Sequence, residues 1–253
     1  MNKYLVAFYI IIFACFIWGF FIEPNLIIIK KYKLNKFTPK IVFVSDFHIS
    51  KNDKKRLKRI VKLINKQNPD IVISGGDYIK GHNGKTTMDI DVIAEELSRI
   101  NAPVVSVLGN HDGKYDKYTV KTALENKGIT ILSNSNIEIN GICIAGVEDM
   151  QTGSPNSQIA LENTASPRIL VSHTPDIYYD IKENVDLILA GHVHGGQVRV
   201  PFKGALIVPS KYGVKFACGE FNETGNKMIV TKGLGTSILP VRFCTLPEII
   251  VIE

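Results

Sequence analysis

Ile41-Val42-Phe43-Val44-Ser45-Asp46-Phe47-His48 is the stretch from which the fold class of this chain can be argued first. Four apolar residues follow one another without the polar alternation of a half-exposed strand, and the run ends abruptly at Asp46. Continuous apolar runs of this length are typical of strands that are buried on both faces of a sheet. We therefore expect a buried strand whose carboxyl end carries a polar side chain.

The same pattern recurs along the chain, and helical segments separate several of the runs. Apolar residues at helical spacing predict helices at about 53–67, 89–100 and 118–127. Further strands are expected at 71–74, 104–107, 129–146, 169–172 and 187–190, and strands punctuated by Gly and Pro continue to residue 252. This alternation predicts α/β layering in one domain, with extra antiparallel strands toward the end.

The composition excludes several classes of protein. Of the 253 residues, 45% are hydrophobic and 21% are charged, so the chain is neither disordered nor collagen-like. The formal net charge is +6, but residues 1–40 carry six lysines against Glu23 alone. The 24 basic and 23 acidic side chains left in residues 41–253 nearly cancel, which argues against binding of long nucleic acids.

Residues 4–22 form an uncharged apolar stretch of 19 residues. As a helix they would extend over roughly 28 Å, close to the roughly 30 Å of a bilayer's hydrocarbon core. A buried core helix would carry polar residues on one face, and a cleaved signal peptide would end in an A-x-A-like site. The stretch has neither feature, so we expect an uncleaved membrane anchor over residues 1–25.

A basic segment follows the anchor. Four lysines lie between residues 30 and 36, and apolar β-formers around them predict an edge strand within residues 26–40. The positive-inside rule then places residues 41–253 on the cytoplasmic side of a cell membrane that the chain crosses once. The same lysines are suited to contact with anionic lipid head groups.

Five of the predicted strands end at residues that can bind a metal ion. Five of the six histidines of the chain lie in the loops that follow these strands. The residues are, in chain order, Asp46 and His48, Asp77, Asn110 and His111, His173, and His192 and His194. In open α/β sheets the loops at the carboxyl ends of the strands meet at one edge, so we expect these side chains to form a single site.

The residue types indicate what the site binds. Imidazole, carboxylate and one carboxamide suit a divalent transition ion such as Mn, Fe or Zn, whereas thiolates, which are typical of structural zinc sites, are missing from the set. Four histidines and two aspartates exceed what one ion with open positions needs. Two divalent ions about 3.5–4 Å apart, bridged by one carboxylate, account for the number of ligands.

The motifs that carry these residues resemble the calcineurin-like metallophosphoesterase family. They are D-x-H at 46–48, G-D at 76–77, G-N-H-D at 109–112, His173, and G-H-V-H at 191–194. The match extends over residues 41–252, and it implies a four-layer α/β/β/α sandwich. Ile-Glu-Pro at 22–24 and the extended G-H-V-H-G-G-Q resemble a narrower branch of membrane-associated bacterial phosphoesterases, some of which act on lipid-linked substrates such as UDP-2,3-diacylglucosamine.

The resemblance also implies roles for individual residues. It assigns the first ion to Asp46, His48, Asp77 and His194, and the second to Asp77, Asn110, His173 and His192. His111 would protonate the leaving oxygen or stabilise charge in the transition state. Several members of the family orient this histidine with a second Asp three positions after the bridging one. Lys80 occupies that position here, and Asp112 is the candidate replacement.

Other polar residues are expected mainly as surface or partly buried side chains, with contact to a substrate phosphate as the alternative. They are Tyr78, His82, Arg199, Tyr212 and Arg242.

We therefore expect a membrane-anchored, metal-dependent phosphohydrolase that cleaves a phosphodiester or pyrophosphate bond with hydroxide activated by two ions. The anchor favours a lipid-linked or cell-envelope substrate, because confinement to the bilayer raises the effective concentration of such substrates. A nucleotide phosphodiesterase or nuclease of the same fold is one alternative. An inactive metal-binding scaffold is another, although such proteins usually lose metal ligands and this chain retains them.

Overall fold

The computed structural model describes residues 3–81 and 84–253. The strands in this part of the chain are β1 Ile28–Tyr32, β2 Ile41–Val44, β3 Ile71–Ser74, β4 Val104–Ser106, β5 Thr130–Ile131, β6 Ser135–Ile139, β7 Ile142–Gly146, β8 Arg168–Ser172, β9 Leu187–Ala190, β10 Arg199–Val200, β11 Gly204–Ala205, β12 Gly219–Phe221, β13 Met228–Val230 and β14 Glu248–Ile252. The α-helices are α1 Lys3–Ile17, α2 Lys54–Asn65, α3 Ile90–Leu97, α4 Asn110–Glu125 and α5 Ser157–Ala160.

Two six-stranded sheets hold most of these strands. The first has the order β1-β14-β2-β3-β4-β5, and the second has the order β12-β13-β9-β8-β7-β6. Within the first sheet β2, β3, β4 and β5 are parallel, and within the second β13, β9, β8 and β7 are parallel. Parallel neighbours end at the same edge of a sheet, so the loops that follow β2, β3 and β4 lie side by side, as do those that follow β8 and β9.

The two sheets pack face to face, which explains why their strands are apolar on both sides. Ile41 and Phe43 point into the core between the sheets, where they join Ile144 and Leu189 of the second sheet. Val42, between them, points to the opposite face and packs against the helices. Because successive side chains of a strand alternate between faces, a strand covered on both sides needs a continuous apolar run.

Helices α2, α3 and α4 cover the outer face of the first sheet. Leu57, Ile60 and Ile64 of α2 recur at helical spacing and are fully buried there. Helices α2 and α3 lie within the ranges expected at 53–67 and 89–100. By contrast, α4 begins at Asn110 rather than near residue 118, and it is kinked at Asp116.

The early start of α4 has a local cause. The carboxylate of Asp112 accepts the backbone N–H of Gly109 at 3.0 Å, and this contact caps the first turn of the helix. Asn110 and His111 therefore lie on the first turn of a helix rather than in an open loop.

The outer face of the second sheet is covered by the short helix α5, a 3₁₀ turn at Pro175–Tyr179 and irregular chain. Tyr178 and Phe216 pack there against small strand residues such as Ala145 and Ala190. The layers therefore run helices, sheet, sheet, and short helices with loops. The four-layer α/β/β/α sandwich expected from the sequence is confirmed.

The apolar N-terminal stretch is helical over Lys3–Asn25, and its length and composition would allow it to cross a membrane. None of the residues of α1 is buried, and the helix first packs against the rest of the protein at Gly19 and Glu23. Directly afterwards, β1 joins the edge of the first sheet and pairs in parallel with β14.

We predict that Ile73→Ala, in the core between the sheets, lowers the free energy of unfolding by about 3 kcal/mol, since the side chain is fully buried and its removal leaves a cavity. Ile159→Ala is the matched control, because Ile159 is 53% exposed on α5, and it should change stability by less than about 0.5 kcal/mol. Urea denaturation of the full chain in detergent measures both. Equal losses would contradict this account of the core.

Candidate metal centre

Loops from both sheets meet at one place and bring buried polar side chains together. Asp46, His48, Asp77 and Asn110 come from the loops after β2, β3 and β4 of the first sheet, and His173, His192 and His194 come from the loops after β8 and β9 of the second. All seven side chains are buried. Burial of this many polar groups is costly unless each has a partner.

One group of ligand atoms is formed by Asp46, His48 and His194. The Nε2 atoms of His48 and His194 are 3.0 Å apart, and Nε2 of His194 is 3.7 Å from Oδ1 of Asp46. The three ligand atoms lie within 4.8 Å of one another, which is close enough for a shared metal ion.

A second group is formed by Asp77, His173 and His192, beside the side chain of Asn110. Nε2 of His173 lies 3.0 Å from Oδ1 of Asn110 and 3.1 Å from Nδ1 of His192. Nδ1 of His192 is also 3.1 Å from Oδ1 of Asn110. Four side chains that can bind a metal ion therefore surround a second position.

Asp77 lies between the two groups. Its Oδ2 atom is 3.4 Å from Nε2 of His48 in the first group and 3.4 Å from Nε2 of His173 in the second. A single carboxylate is thus placed where it can contribute to both positions.

The tautomers of two histidines show why these positions suit cations. Nδ1 of His48 is 3.1 Å from the carbonyl oxygen of Ile79, and Nδ1 of His173 is 2.7 Å from that of Gly75. A carbonyl oxygen only accepts hydrogen bonds, so Nδ1 carries a hydrogen in each ring and Nε2 is the nitrogen turned toward Asp77. Each Nε2 lies 3.4 Å from Oδ2 of Asp77, a position in which a divalent cation would take the place of a proton.

The electrostatics of the site agree with this interpretation. Burial lowers the pKa of His48 to about 3 and that of His192 to about 4, so both imidazoles are neutral at pH 7, which is the form that binds metal. Burial favours the neutral imidazole of His173, but attraction to Asp77 raises the pKa of His173 to about 10, so without a metal ion this ring carries a proton on Nε2 that a divalent cation would replace. Burial favours the neutral form of Asp77, but the charged His173 holds the pKa of this carboxyl well below its usual range. The carboxylate is therefore available as an anionic ligand.

Five residues of the site adopt backbone conformations that non-glycine residues seldom use. Their φ angles are 55° for Asp46, 43° for His48, 58° for Asp77, 70° for His192 and 51° for His194. Such conformations store strain and are concentrated at functional sites, where the surrounding structure holds them in place. The strands thus turn sharply at their ends and direct the ligands inward.

Gly109 is needed for the close packing of the loops around the site. A Cβ atom on this residue would lie 2.7 Å from Cε1 of His173 and would also overlap the Asp77 carboxylate. Contacts this short do not occur between real side chains, so a larger residue would push the ligands apart.

Asp112 ties two of the loops together. Its carboxylate accepts the backbone N–H groups of Asp77 at 2.8 Å, Tyr78 at 2.9 Å and Ile79 at 3.2 Å, besides that of Gly109. The structure therefore places Asp112 under the loop that carries Asp77, where it fixes the backbone.

His111 lies at the edge of the centre. Its backbone N–H donates to Oδ1 of Asp77 at 2.8 Å, and Nδ1 of its ring is 3.1 Å from the carbonyl oxygen of Gly81. The sequence left open which group orients this ring in the absence of the second Asp. The carbonyl of Gly81 is one group that does so, and the ammonium of Lys80 instead donates to the backbone carbonyl of Thr236.

Residues 39–196 match the sequence model of the family described as Calcineurin-like phosphoesterase, and this match includes every side chain of the two ligand groups. The chain belongs to the calcineurin-like phosphoesterase family. It is a metallophosphoesterase, a hydrolase of phosphoric esters.

Individual relatives agree with the family assignment. The phosphoesterase is 33% identical over 224 residues to the uncharacterized metallophosphoesterase YkuE of Bacillus subtilis, with 84% of this chain and 77% of that protein covered. It is 30% identical over 234 residues to the phosphodiesterase YaeI of Escherichia coli, with 88% and 84% covered. A zebrafish transmembrane protein with a metallophosphoesterase domain is 26% identical over 237 residues, with 83% and 52% covered.

Among solved structures, the crystal structure of TT1561 of Thermus thermophilus matches with a TM-score of 0.51 and 16% identity. The match covers 78% of this chain and 91% of that one. It shows that the two proteins share a fold.

A cleft of about 560 Å³ opens from the metal centre of the phosphoesterase. Its polar end is formed by ligand residues and His111, and its wall is apolar, with Val198, Leu206, Ile207, Ile238, Leu239 and Val241. Sequence motifs did not indicate this wall, because its residues come from two separate segments without a shared pattern.

Two polar residues of the cleft were also missed. Nε2 of Gln151 lies 3.2 Å from Nε2 of His192, and Lys114 donates to Oε1 of Gln151 at 3.0 Å. Gln151 is 41 positions from His192 in the chain, so only the folded structure brings it to the site.

The weaker polar candidates are engaged in other contacts. The hydroxyl of Tyr78 bonds Ser74 and Ser106 at 2.7 Å each, and Tyr212 packs in an aromatic cluster around Phe216. The guanidinium groups of Arg199 and Arg242 donate to backbone carbonyls, at 3.2 Å for the contact from Arg199 to Gly195. His82 lies outside the described residues.

We predict that Asp77→Asn removes most bound divalent metal from both positions, since the substitution replaces the carboxylate that lies between the two ligand groups. Elemental analysis of the purified full chain measures the metal. Asp176→Asn is the matched control, because Asp176 is a buried carboxylate that binds Ser210 and Lys211 instead. Equal metal content in the two variants would contradict a dinuclear site at Asp77.

Proposed function

We propose that this protein is a membrane-anchored phosphohydrolase that cleaves a phosphodiester or pyrophosphate bond in a lipid-linked substrate. The observation that carries the proposal is the shared position of the Asp77 carboxylate between two groups of buried imidazoles, next to an apolar cleft. We divide the chain into an anchor at 1–25, a basic juxtamembrane segment with an edge strand at 26–40, and a catalytic domain at 41–253.

We assign the first ion to Asp46, His48, Asp77 and His194 and the second to Asp77, Asn110, His173 and His192, and the donor set suits Mn, Fe or Zn. When bound, two such ions make hydroxide available near neutral pH and offset the negative charge that develops on a phosphoryl group. The chain contributes the imidazoles of His48 and His173, whose Nδ1 hydrogens are held by backbone carbonyls, so their Nε2 atoms are oriented before any ligand arrives.

His111 is our candidate for proton transfer to the leaving oxygen. Its ring lies edge-on to His48, with 4.5 Å between ring centres, and it borders the cleft. The carbonyl of Gly81 accepts from Nδ1, and we assign to Nε2 the proton that a leaving alkoxide or phosphate needs. We assign Asp112 a positioning role, because its carboxylate holds the backbone on which Asp77 and His111 depend.

The wall of the cleft supports a lipid-linked substrate. Leu206, Ile207, Ile238 and Leu239 are exposed to solvent on this wall, and acyl chains would cover them. This surface is a poor match for the base and ribose of a nucleotide, so we place a nucleotide phosphodiesterase second. An inactive scaffold is disfavoured because all ligand positions are present and brought together.

The N-terminal helix supports the membrane location. Its 23 residues would extend over about 34 Å, enough for a bilayer's hydrocarbon core. The zebrafish relative is named as a transmembrane protein. We propose that residues 41–253 face the cytoplasm, as the lysines between residues 30 and 36 favour.

We predict that His111→Ala lowers kcat for bis(p-nitrophenyl) phosphate by about 10²–10⁴-fold, the usual range for loss of a general acid, while two metal ions remain bound. Steady-state kinetics and elemental analysis of the same preparation measure this. Tyr118→Ala is the control, because Tyr118 is 81% exposed on α4 and should leave both quantities unchanged. Turnover like that of the wild type in His111→Ala would remove this role.

The substrate proposal predicts that kcat/KM with Mn²⁺ is higher for UDP-2,3-diacylglucosamine than for soluble phosphodiesters, because only the former has acyl chains to fill the apolar cleft. A chelator should abolish both activities. Hydrolysis of soluble compounds alone would remove the lipid-linked substrate but leave the phosphoesterase activity intact.

A further inference from the structure

Large apolar side chains are exposed around the mouth of the cleft. Ile238 is 93% exposed, Ile207 is 81% exposed, and Phe202 projects fully into solvent. Leu206 and Leu239 are exposed beside them. We call these five residues the apolar rim. Contiguous apolar surface of this kind marks contact with a membrane or another protein.

The apolar rim is one structure, although its residues come from two segments. The side chain of Gln197 donates to the backbone carbonyl of Leu239 at 3.0 Å and accepts the N–H of Ser237 at 2.7 Å. The backbone N–H of Arg199 donates to the carbonyl of Phe243 at 2.8 Å. These bonds hold the β10–β11 hairpin, with Phe202 in its turn, against the segment that carries Ile238 and Leu239.

The end of the anchor is fixed to the same segment. The N–H of Arg242 donates to the carbonyl of Gly19 at 2.9 Å, and the carboxylate of Glu23 accepts the N–H groups of Cys244, at 3.0 Å, and Thr245. Glu23 is buried and also accepts from the indole of Trp18. The orientation of the domain relative to the anchor is therefore set by specific hydrogen bonds.

This attachment sets the position of the apolar rim relative to the bilayer surface. Gly19 packs against Val241, and two residues of extended chain cover at most about 7 Å. Leu239 therefore lies close to the last part of the membrane span, which ends at Asn25. If that end lies at the bilayer surface, the rim does too.

Basic side chains lie beside the C-terminal end of the anchor. Arg59 of α2 donates to the carbonyl of Asn25 at 3.0 Å, and Lys55 and Arg59 border a surface cavity with Asn25 and Ile27. Lysines and arginines at this level favour anionic head groups. The positive charge of these side chains is thus complementary to an anionic lipid surface.

The metal centre also lies close to the end of the anchor. A cavity of about 240 Å³ is bordered by Phe20 and Pro24 at the end of the anchor, and by His48 and Lys80 at the metal centre. We propose that the mouth of the metal cleft faces the bilayer and that the apolar rim enters the membrane interface as a second attachment beside the anchor. A lipid-linked substrate then reaches the metal centre without leaving the bilayer. This inference rests on the anchor proposed above.

Photo-crosslinking of the full chain in vesicles of phosphatidylcholine and phosphatidylglycerol, with a trace of alkyne-tagged phosphatidylcholine, tests the proposal. p-Benzoylphenylalanine is placed at Phe202 or Ile238, and at Ile159 as an exposed control outside the rim. The same group at Phe13, which is exposed on α1, reports whether the anchor is inserted. We expect lipid adducts at Phe202, Ile238 and Phe13, several-fold above the yield at Ile159.

The other outcomes overturn the inference in distinguishable ways. Adducts at Phe13 with rim yields equal to that at Ile159 would leave the anchor intact and remove the membrane contact of the rim. Adducts at Ile238 without Phe202 would indicate a single lipid in the cleft, because Phe202 lies outside the cleft wall. Dimers crosslinked at Phe202 would indicate a second copy of the chain as the partner. None of these results depends on turnover, so they are independent of the proposed activity.

Phe202→Asp provides a functional test. Phe202 has a φ of 65°, a conformation that Asp tolerates better than Phe, so the variant should fold. We expect turnover of a vesicle-borne lipid phosphodiester to fall about tenfold, as loss of one apolar group that the membrane would bury predicts, with turnover of bis(p-nitrophenyl) phosphate unchanged. Ile159→Asp is the control. Equal turnover of the vesicle-borne substrate in the two variants would overturn the inference.

Discussion

The close approach of two buried imidazoles to the Asp77 carboxylate is the constraint on which the rest of the molecule depends. Nitrogen atoms of His48 and His173 approach its carboxylate at 3.4 Å, and each also faces further acceptor atoms. Buried acceptors that face one another repel unless a proton or a metal ion lies between them. The fold must therefore hold these groups against that repulsion, and the strained φ angles at the ends of the strands show how tightly it does so.

Residues away from the ligands provide this rigidity. Asp112 binds four backbone N–H groups beneath Asp77, and the buried guanidinium of Arg242 donates to the carbonyls of Lys232, Gly233 and Gly235. Gly235 in turn donates its N–H to the carbonyl of Asp46. The backbone N–H of Arg242 also donates to the carbonyl of Gly19 near the end of the anchor. The short segment around Arg242 therefore supports the metal centre and fixes the membrane helix.

Much of the fold could be predicted from local patterns. The run at residues 41–44 indicated a strand buried on both faces. In the structure one face of this strand lies in the core between the two sheets, and the other face packs against the helices. The polar residues that follow this strand and four others indicated the candidate metal ligands. The start of α4 at Asn110 was missed, because the contact that caps it lies within a motif that pointed to chemistry rather than to a helix.

Sequence by itself thus determined the family, the layered fold and which residues meet at the strand ends, since strand periodicity and motif spacing are local properties of the chain. Only the tertiary structure decided that Gly81 orients His111, that Gln151 reaches His192, and that an apolar wall borders the metal centre beside the anchor. These contacts join segments far apart in the chain. No local pattern encodes them, because they arise from the way in which the two sheets and their loops pack together.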